Sequence, residues 1–154
     1  MKLVTTFLLL FCLSTNGHTC SCRWGGDFFD ISSNASLIVL VNVEKHGFNG
    51  KNMKIEILAT YKGKTRKRLK VWGDNGIQCR PYIDLFEEDK KYILAINKSK
   101  NGQFFLSRCG EYFLEVEDDT VKSFSHYSNN NKRIGKLPFD QFIEKLTNVL
   151  AGPK

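Results

Sequence analysis

The sequence predicts an all-β domain with flanking helices: an OB-like five-stranded Greek-key β-barrel, with a short N-terminal helix and a longer C-terminal one. Three observations predict it. Short β-branched runs are separated by turn residues across 36–47, 52–63 and 66–76. Asn101-Gly102 lies between two more such runs, the strongest short-range hairpin signal. Finally, LPFDQFIEKLTNVL (137–150) repeats apolar residues at helical spacing.

Each element follows from its residues. DFFDISSNA (27–35) suits a short helix opening at Asp27, with Phe28, Phe29 and Ile31 toward a core. SLIVLVNVEKHG begins as a continuous apolar run and becomes alternating, hence a strand with a buried start. In NMKIEILATYKG, Met53, Ile55, Ile57 and Ala59 alternate with Lys54, Glu56, Leu58 and Thr60, a strand with one solvent face. RKRLKVWGDNG is a third strand, stopped by Gly73 and Asn75-Gly76. KKYILAINKSKNGQFFLSRCG supplies two strands about Asn101-Gly102, and EYFLEVEDDTVKSFSHYS adds edge strands around an acidic turn. Pro138 falls near the first position of the last helix, whose Phe139, Phe142, Ile143, Leu146, Val149 and Leu150 share a face.

Residues 1–19 read as a secretory signal: Lys2, the apolar run Leu3–Leu13, then a polar run to Thr19. That run is too short to span a bilayer, and no other window approaches membrane-spanning length. Residues 20–154 then form a single domain, expected to be secreted and extracellular, or periplasmic in a bacterium. Cleavage after Thr19 removes Lys2 and leaves 22 basic against 16 acidic side chains, a formal charge of +6. Cleavage after Gly17 would instead leave His18 at the N-terminus. Much of the positive charge lies in KGKTRKRLK (62–70). In an exported chain it reads as a charged hairpin turn and sheet edge that deters aggregation rather than as a nucleic-acid site.

Cys12 leaves with the signal, so Cys20, Cys22, Cys79 and Cys109 remain, an even number that favours disulfides. The Cys-Ser-Cys spacing fits neither zinc pairs nor thioredoxin-like sites, which need two intervening residues. In an extended segment, residues two apart have Cα atoms roughly 6.5 Å apart, the outer edge of disulfide geometry. Cys20 and Cys22 should therefore each reach a distant cysteine, which leaves two connectivities. Either one anchors the new N-terminus to the folded body.

No catalytic constellation accompanies the remaining polar residues, so an enzyme is not expected, and neither is a cofactor. His18, His46 and His126 lack a nucleophile and orienting group and read as surface histidines. Glu87-Glu88-Asp89 and Glu117-Asp118-Asp119 sit in turn-like contexts. Trp24 and Trp72 are expected to pack on the core, and Asn34 and Asn97 head glycosylation sequons.

Together these residues resemble the netrin-like superfamily, and within it the N-terminal domain of the tissue inhibitors of metalloproteinases. The resemblance covers roughly 20–125. It rests on Cys-Ser-Cys at the mature start, the helix-then-strand opening, YKGK before the third strand, and Cys79 and Cys109 on either side of YILAI. It implies the bridges Cys20–Cys79 and Cys22–Cys109. It further implies a monomeric inhibitor whose partner is a secreted zinc metalloproteinase. The free α-amino group and carbonyl oxygen of Cys20 would bind that protease's zinc, the only metal involved. Ser21 would enter the specificity pocket beside Cys22, and Asn75, Gly76, Ile77 and Gln78 would form a second contact strip. Arg23-Trp24 departs from the small residue and proline of the animal inhibitors, and their third N-domain disulfide has no counterpart. A non-inhibitory module of the same superfamily, binding a protein or glycan, is the alternative. An OB-type nucleic-acid binder is a third reading and would need exposed stacking aromatics.

Overall fold

The computed structural model describes residues 21–74, 78–125 and 131–152. Its elements are α1 (Phe28–Ser32), β1 (Leu37–His46), β2 (Asn52–Lys62), β3 (Arg68–Trp72), a 3₁₀ turn (Ile83–Leu85), β4 (Lys91–Lys98), β5 (Phe104–Phe105), β6 (Phe113–Glu117), β7 (Thr120–Ser123), β8 (Lys136–Pro138) and α2 (Phe139–Ala151). The sheet order is β1-β2-β3-β5-β4-β6-β7-β8, and a further β1–β4 pairing closes the first five strands into a barrel. β3 and β5 run parallel; the other paired strands are antiparallel. The β3–β5 seam has only two residue pairs and is the thinnest part of the closure.

β1 and β4 explain the continuous apolar runs. Val39, Val41 and Leu94 face the barrel interior with Met53, Ile55 and Val71. Ile38, Ile93 and Ala95 face outward, beneath α1 and α2, against Phe28, Phe142 and Leu146. Strands buried on both faces need apolar residues at successive positions, whereas β2 keeps one wet face and alternates. Burying this surface stabilises the fold by about 25 cal/mol per Å² of apolar area.

Local signals place the caps and turns. The Asp27 side chain accepts the Asp30 amide at 3.0 Å and Asp30 answers to the Asp27 amide, a reciprocal cap on α1. Asp118 and Asp119 both have positive φ (45° and 56°) in the tight turn between paired Glu117 and Thr120. Asp tolerates that conformation, so the acidic pair is a hairpin turn of the primed type. Glu87 and Glu88 are likewise structural: Glu87 holds Lys90 at 2.7 Å, and Glu88 accepts the His46 amide at 2.7 Å.

Three expectations change. β8 was not anticipated, and Pro138 ends it and caps α2 instead of entering the helix. Val149 stays 38 % exposed on a face of α2 where Phe142 and Leu146 are buried and Phe139, Ile143 and Leu150 partly so. His46 is half-buried rather than a surface residue, with Nε2 2.6 Å from the Phe86 carbonyl. Trp24 packs partly buried against the barrel core as expected, and Trp72 is half-buried. Among the described residues no helix is long and apolar enough to cross a membrane.

Candidate functional site at the anchored N-terminal segment

The segment following Cys20 lies along the strand-free stretch 107–111. Cys22 and Cys109 are disulfide-bonded across 87 positions of sequence, with Cα atoms 5.7 Å apart. Beside the bridge, the Gly25 amide donates to the Cys109 carbonyl at 2.7 Å, and the Glu111 amide donates to the Gly26 carbonyl at 3.1 Å. Gly25 is required by this closeness, because a Cβ there would stand 2.9 Å from the Cys109 carbonyl oxygen. Further along, the Trp24 indole N–H donates to the Lys132 carbonyl at 3.2 Å. Lys132 itself spans Asp27 at 3.1 Å and Asp30 at 2.9 Å. That ammonium holds the Asp30 carboxyl below the ordinary carboxylate range.

A third segment joins them. The Arg108 amide donates to the Cys79 carbonyl at 3.0 Å, and Cys79 is disulfide-bonded. Sulfurs of Cys22, Cys79 and Cys109 all lie within 4.8 Å of one another. Oxidised to disulfides they offer no thiolates, the form in which cysteine binds zinc, so the cluster is a double staple and not a resident metal site. Next to it, the Arg80 guanidinium lies 4.5 Å from the Phe105 ring centroid; burial lowers its pKa and Asp74 partly opposes that.

Beneath the staple sits Glu111, fully buried. One carboxylate oxygen accepts the Phe28 amide at 3.1 Å and the Ile134 amide at 2.9 Å, and the other accepts from the Ser123 hydroxyl. Burial pushes its pKa up, against these hydrogen bonds. Glu111 thereby fixes the start of α1, and so the level at which the N-terminal segment enters the barrel.

Of the predicted site residues, Ser21, Cys22 and Gln78 are exposed, and Cys79 and Cys109 are half-buried around the staple. The structure brings the 21–22, 78–80 and 107–109 stretches together. Cys20, Asn75, Gly76 and Ile77 lie outside the described residues, as do His18 and His126. Sequence reading missed Gly25, Arg80 and Glu111. Only Gly25 left a signal, in the Gly25-Gly26 pair directly after the cysteines. The chain matches no protein-family model and no curated protein.

Proposed function

We propose that the protein is a secreted inhibitor of zinc metalloproteinases, built on an OB-type barrel of the netrin-like kind. The observation that carries the reading is the Cys22–Cys109 bridge, one of the two pairings implied by the resemblance to the tissue inhibitors. It clamps the exposed residues Ser21, Cys22 and Arg23 against the barrel. The barrel order, with β1 closing on β4 and a short parallel β3–β5 seam, supports the OB type, a five-stranded and partly open barrel. Disulfide bonding supports an oxidising compartment outside the cytosol.

In this reading Cys20 is the mature N-terminus. A free α-amino group has a pKa near 8, so its neutral form is accessible near neutral pH. Its nitrogen and the Cys20 carbonyl oxygen displace the water that the target's zinc activates. Without that water the protease has no nucleophile. Ser21 follows into the adjoining pocket, where a small side chain fits, and Asn75–Gln78 make a second contact. Clamping the segment beforehand reduces the ordering cost of binding.

The test compares protein starting at Cys20 with protein carrying one extra alanine before it, against a panel of secreted zinc proteases. The extension leaves the disulfides and barrel intact, removes the amine ligand and crowds the cleft. A loss on the order of a thousandfold in affinity is expected. Equal potency refutes zinc binding by the amine. Inhibition by neither form transfers the fold to the non-inhibitory binding-module reading.

A further inference from the structure

Three lysines from three strands stand in one row on the outer face of the barrel. Lys45 of β1 is opposite Lys54 of β2, and Lys54 is opposite Lys70 of β3. All three are exposed. Adjacent strands are about 4.8 Å apart, and like charges placed directly opposite across a sheet are destabilising. The neighbouring carboxylates do not relieve them, because Glu56 is held by Lys67 at 3.1 Å and Glu44 by Arg68. Lys70 lies 4.9 Å from the Trp72 ring centroid; among the described residues none of the three lysines forms an ion pair.

Two shallow depressions meet at this row and share Lys54 and Lys70. One extends to Lys45 and His46, the other to Arg66 and Lys67. The result is a concave basic trough across β1, β2 and β3. We propose that this trough binds a sulfated polysaccharide, whose sulfates supply the counter-charges the lysine row lacks.

The occupant follows from the shape and chemistry of the trough. A concave strip several lysines long fits a linear polyanion better than a flat bilayer. Single-stranded nucleic acid needs exposed rings for base stacking, and Trp72 is half-buried beneath Lys70. The disulfide fits the secreted reading proposed above, on which this choice of ligand rests, and outside cells sulfated polysaccharides are abundant linear polyanions. Phe48, fully exposed at the tip of the β1–β2 turn, lies off the row and has no role in this contact.

The experiment measures binding of the full mature chain to a heparin oligosaccharide at low and physiological salt. Wild type should bind, with affinity falling steeply as salt rises. K45S/K54S/K70S should lose roughly a hundredfold in affinity, from about a fivefold contribution per lysine at a dense anionic surface. That variant should melt at or above the wild-type temperature, because substitution relieves repulsion. K64S/K100S/K145S has the same net charge with the row intact and should bind as wild type. Equal losses in the two triple variants would reduce the effect to diffuse net charge and overturn the proposal. No wild-type binding would overturn it directly. Row-dependent binding of single-stranded DNA at equal strength, or of anionic phospholipid vesicles lost in F48A, would assign the trough to another ligand and overturn it as well.

Discussion

The Phe28 amide donates to the Glu111 carboxylate across 3.1 Å, although the residues are 83 positions apart and Glu111 is wholly buried. With the Ile134 amide and the Ser123 hydroxyl on the same carboxylate, this contact ties α1, β7 and the 131–135 connection to one side chain. The level of the N-terminal segment is set there before the disulfide is considered.

Truncating that side chain should therefore be severe. Glu111→Ala leaves the buried Phe28 amide and the part-buried Ile134 amide and Ser123 hydroxyl without their acceptor, at up to about 1–3 kcal/mol for a buried group left unsatisfied. Urea unfolding should show a large fall in midpoint. Glu111→Gln keeps one acceptor oxygen for the two amides and should cost far less.

The same residue sets a pH dependence. Its folded pKa is raised, so the folded state binds the proton more tightly than the unfolded chain does. The stability from Glu111 is fully present below the ordinary glutamate range and is lost as pH rises through the elevated folded pKa. Asp30 acts oppositely: its pKa is lowered, so its contribution is present above the ordinary aspartate range and lost as pH falls through the folded pKa. Urea midpoints across pH 3–8 should show the Glu111 component vanish in Glu111→Gln and persist in Lys132→Met, which removes the Asp30 component instead.

Opening the staple should be costly to stability and more costly to function. Cys22→Ser with Cys109→Ser frees a loop of 87 positions, for which chain entropy allows about 4.6 kcal/mol as a ceiling. The Gly25–Cys109 and Gly26–Glu111 hydrogen bonds remain, so the barrel should still fold. Protease inhibition should fall further than the thermal midpoint implies, because the exposed Ser21-Cys22 segment loses its clamp.

Docking of α2 rests on Phe142, fully buried, with its ring centroid 5.5 Å from that of Phe28 and 5.4 Å from that of Phe29. Phe142→Ala should destabilise by about 3–5 kcal/mol, the usual range for a core phenylalanine. Near-ultraviolet circular dichroism and denaturant midpoints report it.

Much of the barrel was legible because its physics is local. Alternation across Met53–Thr60 marks a strand with one wet face, and the unbroken apolar Tyr92–Ile96 marks one buried on both faces. The cysteine anchor was legible from count and spacing alone. Other features depend on what the fold brings together. β8 is three residues ending in proline and has strand geometry only because β7 offers it an edge. Nothing around Glu111 in sequence announces three donors from distant elements. The lysine row needs the register of β1 on β2, and β1 carries irregularities at three points, one of them between Val43 and Lys45. Counting residues along the chain cannot supply that register.

Coordination of the target's zinc by the Cys20 amine is the central claim, and the metal itself reports it most directly. A secreted zinc protease reconstituted with cobalt(II) has visible absorption bands set by its ligands. Titration with protein starting at Cys20 should change those bands in step with inhibition, as a nitrogen and a carbonyl oxygen replace water, and the alanine-extended protein should leave them unaltered. Tight inhibition with no change in the cobalt spectrum would contradict the account.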